Sequence, residues 1–248
     1  MTINLSKAIA ICFVSLLALA ADVRAAAKIE IDGSEFDFGM VIPNSTVVHH
    51  AWLHSTGEDT LTITGVKTGC ACVAVTEPDT TLEGLRLGPG DSLRVNFAWQ
   101  TRQFVSETQR TIYLLTNAGP EPSRIELSAS RMIPTSAGSP VKCRPVTLDF
   151  KEGGTSEKRF VLTNDTDETM VIECLSPSEE TYELMLPDTL EAHASVVGAV
   201  RLTEAVAGQH VEESFTLGFK RPEQSVYKIT LPISHGDFSF RPTSTTTK

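Results

Sequence analysis

Residues 47–72 read VVHHAWLHSTGEDTLTITGVKTGCAC. Apolar residues recur near every second position on both sides of the polar turn Gly57–Asp59, which is typical of two half-buried strands. We therefore predict a β-hairpin here, followed directly by the Cys-Ala-Cys triplet that ends the segment. Strand packing and thiol chemistry meet within one short stretch of chain.

The amino end has the pattern of a cleaved secretory signal over residues 1–25. Lys7 precedes an apolar run from Ala8 to Ala21, and the small residues Val23 and Ala25 follow where a signal peptidase cuts. This run is shorter than a typical membrane span, and no later run is longer. We expect a secreted or periplasmic protein with no integral membrane span after removal of the signal.

The chain has 248 residues and a formal net charge of -10. An acidic chain without a cluster of lysines and arginines repels phosphate backbones, so we expect no nucleic-acid partner. The length allows one or two domains of ordinary size.

An internal repeat sets the number of domains. The chain matches itself in several places that keep the same order, and the second copy is a diverged repeat that lacks the Cys-x-Cys motif. The matching segments are 36–38 with 148–150, 51–55 with 160–164, 87–97 with 190–200, and 125–127 with 229–231.

Each copy contains about seven short alternating runs separated by Gly, Pro, Asn and Asp, without a stretch of helical period. This pattern predicts an all-β protein of two tandem immunoglobulin-like β-sandwich domains. The predicted boundaries are a signal peptide at 1–25, a first domain at 28–133, a linker at 134–140, a second domain at 141–240 and a flexible tail at 241–248.

The first copy also carries a series of short motifs in a characteristic order. They are Phe36-Asp37-Phe38-Gly39-Met40-Val41, His49, Thr56-Gly57, Gly69-Cys70-Ala71-Cys72, Gly88-Pro89-Gly90 and Thr116-Asn117. In this order they resemble the bacterial domain of unknown function fifteen-seventy-three, over about residues 34–132. Ala51 and Leu53 depart from the phenylalanines usual in that family. The resemblance implies an immunoglobulin-like fold like that of pilus chaperones, and it implies no activity, because the family has none established.

The candidate site consists of Cys70, Cys72, His49 and His50. In the predicted hairpin, residues near 49 lie opposite residues near 67, and thiolates with imidazole are ligands suited to copper or zinc. The two cysteines could instead form a redox-active disulfide, or fill the edge of the sandwich as small apolar side chains. Alternation puts the two histidines on opposite faces, so we expect at most one of them to face the thiols.

Two further interpretations concern packing. The order of the predicted strands places Cys143 and Cys174 at opposite poles of the second copy, so we do not expect them to pair. Cys143 is instead expected nearer to Cys70 and Cys72.

Trp52 shares a face of its strand with His50 and His54, and we expect a neighbouring strand to cover it.

We find no catalytic motif and predict a non-enzymatic protein that acts in the cell envelope as a protein-binding or structural module. An exposed edge strand can accept an extended segment of a partner by strand addition, which leaves no sequence motif. The alternative is a copper- or zinc-binding or thiol-redox protein that uses the Cys-x-Cys motif and a nearby histidine.

Overall fold

The computed structural model describes residues 26–77, 81–102, 106–131, 139–150, 155–178, 180–206, 209–221 and 226–236. The predicted signal peptide, most of the predicted linker and the predicted tail lie outside these ranges. Among the described residues, no helix is long and apolar enough to cross a membrane.

The described chain is built almost wholly of strands, which confirms the all-β prediction. The first half contains β1 (Ile29–Asp32), β2 (Glu35–Val41), β3 (Thr46–Ser55), β4 (Leu61–Thr68), β5 (Val73–Glu77), β6 (Arg86–Leu87), β7 (Ser92–Gln100), β8 (Thr108–Thr116) and β9 (Ser123–Arg131). The second half contains β10 (Val141–Arg144), β11 (Leu148–Phe150), β12 (Glu157–Asn164), β13 (Met170–Cys174), β14 (Tyr182–Met185), β15 (Thr189–Leu190), β16 (Ser195–Leu202), a 3-10 turn (Glu204–Val206), β17 (Val211–Lys220) and β18 (Tyr227–His235).

The two halves repeat one topology strand for strand. β1-β3-β7-β5 forms one four-stranded sheet and β10-β12-β16-β14 forms its counterpart. The opposing strands also correspond, because β9 pairs with β8 and in parallel with β2, as β18 pairs with β17 and in parallel with β11. The structure thus has two immunoglobulin-like sandwiches in tandem. The predicted boundaries at 133 and 141 stay predictions, since most of the segment between them is not described.

Each half has its own apolar core between its two sheets. The first core includes Leu53 and Phe97 from one sheet and Ile63 and Leu114 from the other. The second core is a separate cluster built in the same way around Phe160 and Phe215. Inward-facing apolar residues alternate with more exposed residues along β4 and β12, as the pattern predicted, whereas β7 and β17 are buried on both faces over most of their length.

The predicted hairpin at residues 47–72 is wrong. β3 pairs with β1 and β7, whereas β4 pairs with β6 and β8 in the opposite sheet. The polar turn therefore crosses between the two sheets, and the backbone of residues 26–28 holds it, because Thr56 N donates to Lys28 O at 3.1 Å and Glu58 N to Ala26 O at 3.2 Å. Alternation defines which face of a strand is buried, but it does not define the strand's partner.

The two sandwiches share one long sheet. β18 of the second pairs in parallel with β2 of the first at Ile229 and Met40, which joins the strands into a ten-stranded sheet. Thr230 Oγ1 donates to Phe38 O at 2.6 Å beside this pairing. The junction is therefore built by backbone and hydroxyl groups as well as by apolar contact.

Trp52 does not pack as predicted. Its side chain is on the outer face of β3, it remains 45% exposed, and its ring stacks on His54 with 6.4 Å between ring centroids. β17 of the second sandwich packs on this face of β3 at His50, through Glu213, but it leaves Trp52 uncovered.

Candidate functional site

Cys70 and Cys72 form a disulfide in the turn between β4 and β5. The amide of Cys72 donates to Cys70 Sγ at 3.2 Å, and Thr68 Oγ1 donates to the carbonyl of Cys70 at 2.9 Å. Gly69 N donates to Thr111 O on β8 at 3.2 Å. The turn is therefore tied to the neighbouring strand as well as closed on itself, and the two cysteines do not lie along an extended segment.

Arg110 on β8 lies against the disulfide. Its Nε donates to Cys72 Sγ at 3.2 Å, and its guanidinium carbon is 5.5 Å from the ring centroid of Trp99. Nη1 donates to Thr108 Oγ1 at 2.9 Å and to the carbonyl of Gln109 at 2.7 Å. These contacts orient the cation toward one sulfur of the pair.

Sequence reasoning missed Arg110, although the sequence contains a signal for it. Arg110 is two residues from Ile112 and four from Leu114, both of which are buried on the core side of β8. A charged residue in phase with inward-facing apolar residues is unusual, since an isolated cation is costly to desolvate. Such a residue needs a partner, and here the partner is a sulfur and an aromatic face.

His49 faces the core of the first sandwich, as its position in the alternation predicted. Its Nε2 donates to Gly33 O at 2.6 Å, and its ring stacks on Phe36 at 4.7 Å between centroids. Burial lowers the pKa of His49 to about 4, although the hydrogen bond to Gly33 acts in the opposite direction. At neutral pH the ring is therefore uncharged, and it contacts Gly33 and the rings of Phe36 and Phe38.

His50 faces the second sandwich from the opposite side of β3. Its Nδ1 donates to Asn96 Oδ1 at 2.6 Å, and its Nε2 donates to Glu213 Oε1 at 3.2 Å. Burial lowers the pKa of His50, but the hydrogen bond and charge of Glu213 outweigh burial, so its pKa is raised above the ordinary value. Arg94 Nη2, 3.2 Å from Nδ1, opposes this effect with a like charge.

The four predicted site residues are therefore not brought together. The two sulfurs are bonded to each other, and each histidine has its own oxygen partners on a different face of β3. Across the described ranges, no group of three or more His, Cys, Asp and Glu side chains is arranged to hold a metal ion. A copper or zinc site at Cys70 and Cys72 stays a prediction.

The remaining two described cysteines are free thiols, and they do not pair with each other. Cys143 lies in the core of the second sandwich, opposite Leu162, and not beside the Cys70–Cys72 turn as predicted. Burial raises the pKa of the Cys143 thiol to about 12 and also raises that of Cys174. Burial therefore favours the protonated form of both thiols, which is the weaker nucleophile.

A second candidate site is the outer edge of β1. Thr56 N donates to Lys28 O, so by alternation the backbone groups of Ile29 and Ile31 point away from β3. A groove of about 330 Å³ lies beside this edge, between Ile29 and Glu30 on one side and Ala118 and Pro120 of the β8–β9 connection on the other. The edge combines outward backbone groups with a groove lined by both apolar and charged residues.

Residues 29–130 match the family described as "Protein of unknown function (DUF1573)". The resemblance of the first copy to this family is thereby confirmed. A search of the curated proteins finds no match.

Several solved structures resemble this chain at low similarity. A protein of unknown function from Porphyromonas gingivalis W83 has 11% identity and a TM-score of 0.33, with 83% of this chain and 99% of that chain covered. The E. coli chaperone DraB has 11% identity and a TM-score of 0.33, with 83% and 98% covered. The secreted serine protease VesC from Vibrio cholerae has 9% identity and a TM-score of 0.36, with 77% and 46% covered.

Proposed function

We propose that this chain, whose residues 29–130 match a family of unknown function, is an exported, non-enzymatic β-sandwich module that binds another protein of the cell envelope. The partner contributes an extended segment that adds to the outer edge of β1. One observation carries this proposal, namely the outward backbone of Ile29 and Ile31 beside the groove. An added strand gains main-chain hydrogen bonds there and buries alternate side chains.

Two observations support export. Residues 1–25 have the charge and hydrophobicity pattern of a secretory signal. The Cys70–Cys72 disulfide is of a kind that persists in oxidising compartments and is rare in the cytosol.

The side chains of β1 define the chemistry of the partner. Ile29 and Ile31 pack toward the core, whereas Glu30 and Asp32 are exposed. An added strand therefore places apolar side chains next to the isoleucines and its outward side chains next to the two carboxylates. Cross-strand pairs of opposite charge are favourable and like charges are unfavourable, so the proposed segment alternates apolar and basic residues. The same carboxylates oppose pairing of β1 with a second copy of itself.

The test is amide hydrogen exchange of Ile29 and Ile31 in the mature chain, with short peptides of alternating valine and lysine or valine and glutamate. We expect the lysine peptide to slow exchange of both amides about tenfold or more, because each amide becomes a hydrogen-bond donor in the sheet. The glutamate peptide should leave them unchanged. Equal exchange with and without the lysine peptide would overturn the proposal.

Two variants sharpen this test. Glu30→Lys should shift the preference toward the glutamate peptide, while the matched control Glu83→Lys, an exposed acid in the segment before β6, should not. Ile31→Pro removes an outward amide and should abolish binding of either peptide.

A further inference from the structure

The two sulfurs of the Cys70–Cys72 disulfide differ in access. Cys72 is only 5% exposed and packs against the first core, whereas Cys70 is partly exposed at the turn. A thiolate that attacks a disulfide must reach one sulfur from outside and displace the other. Cys70 is the sulfur that such a nucleophile can reach.

The two sulfurs also differ in electrostatic surroundings. Arg110 donates from Nε to Cys72 Sγ, and it is held in place by Thr108 Oγ1 and the carbonyl of Gln109. The arginines that form ion pairs within the described ranges are Arg94, Arg159, Arg201 and Arg221. No described carboxylate lies within ion-pair distance of Arg110, so its charge is available to a negative sulfur.

We propose that Cys70–Cys72 is a thiol–disulfide exchange site for a dithiol of another exported protein, with Cys70 as the attacked sulfur and Cys72 as the leaving thiolate stabilised by Arg110. This inference goes beyond the proposed function and does not depend on the β1 edge.

The exchange is balanced in two steps. A thiolate of the partner attacks Cys70 Sγ, a new sulfur–sulfur bond forms, and the bond between Cys70 and Cys72 breaks with its electron pair on Cys72 Sγ. The partner's second thiolate then attacks the partner sulfur of the mixed disulfide and releases Cys70. The partner is oxidised to a disulfide, this chain is reduced to a dithiol, and protons from the partner's thiols pass through solvent to the cysteines.

The cation beside Cys72 determines the direction of cleavage. A better leaving thiolate makes exchange faster, and a neighbouring guanidinium stabilises a thiolate. Cys143 and Cys174 provide the contrast within the same chain, because no arginine in the described ranges donates to either sulfur and each thiol has a raised pKa. The reactive sulfurs are those of the turn.

The experiment treats the oxidised mature protein with glutathione, quenches with acid, alkylates, and locates both modifications by mass spectrometry. We expect glutathione on Cys70 and the alkyl label on Cys72. Glutathione found mainly on Cys72 would overturn the assignment, and this readout needs no variant.

Variants test the role of Arg110 separately. Arg110→Gln should slow the reaction with glutathione about tenfold, since a charge-assisted hydrogen bond to the leaving sulfur is lost. Arg110→Lys should retain part of the rate. The matched control Arg124→Gln, an exposed arginine on β9, should react like the wild type. Equal rates for Arg110→Gln and Arg124→Gln would contradict a stabilising role for Arg110.

Discussion

The hydroxyl of Ser214 in the second sandwich bridges both backbone groups of Val48 in the first. Val48 N donates to Ser214 Oγ at 2.8 Å, and Ser214 Oγ donates to Val48 O at 3.1 Å. Both residues are buried. A single side chain thus replaces the hydrogen bonds that a paired strand would supply to β3.

Ser214→Ala should lower the free energy of unfolding by about 2 kcal/mol, because it leaves a buried amide and carbonyl of Val48 without partners. Urea unfolding followed by circular dichroism measures the change. The control Ser195→Ala removes an exposed hydrogen bond between the hydroxyls of Ser195 and Thr163. It should change the free energy of unfolding by less than about 0.5 kcal/mol. A loss of similar size in both variants would show that the bridge to Val48 contributes nothing specific.

Gly39 lies where β2 meets β18, and it is conformationally and sterically constrained. Its φ is +62°, and a Cβ would lie 2.3 Å from Lys228 Cβ and 2.5 Å from Lys228 O. Gly39→Ala should therefore destabilise the protein by about 3 kcal/mol or more, through backbone strain plus a clash with the second sandwich.

Gly90 separates these two causes. It also has a positive φ, +84°, but a Cβ there would meet nothing within 4 Å. Gly90→Ala should cost only the backbone strain, about 1 kcal/mol. Thermal unfolding of the two alanine variants compares them directly, and equal midpoints would mean that Lys228 can move aside.

His49 and His50 are adjacent in sequence but should respond to pH in opposite ways. The pKa of His49 is lowered to about 4, so its contribution to stability is present above its ordinary value of 6.5 and is lost as the pH falls toward 4. The pKa of His50 is raised, so its contribution is present below 6.5 and is lost as the pH rises through the folded-state value. The combined contribution of the two histidines to stability should therefore be greatest at a pH near 6.5, the ordinary pKa of histidine.

The measurement is the free energy of unfolding across pH 4 to 9, with ring resonances followed by NMR. His49→Gln should flatten the acidic limb of the profile and His50→Gln the alkaline limb. A profile in which both variants alter the same limb would contradict the assigned environments.

Zinc binding should depend on the state of the disulfide. Sulfurs bonded to each other are not thiolates and cannot act as ligands as they would in a zinc site. We titrate zinc into the oxidised wild type and into a Cys70→Ser/Cys72→Ser variant and measure the bound metal. The two proteins should contain the same amount of zinc. Zinc that is retained by the oxidised wild type and lost in the variant would restore the predicted metal site.

Part of this structure could be predicted from the sequence because side-chain period and repeats are local or one-dimensional signals. Alternating residues such as Ala51, Leu53, Leu61 and Ile63 define buried faces, and the self-match of the chain indicates two copies of one unit. The placement of the Cys-Ala-Cys triplet just after a strand is confirmed as well. Opposite faces for His49 and His50 follow from the same alternation.

Tertiary structure decided which elements meet. The alternation of β3 and β4 is the same whether they pair with each other or face each other across a core, so the pairing of β3 with β7 could not be read from it. The contacts of Arg110 with Cys72, and of Ser214 with Val48, join residues 38 and 166 positions apart. Local sequence determines which side of a strand avoids water, but contacts between distant residues depend on how the sheets stack, and only the folded chain settles that.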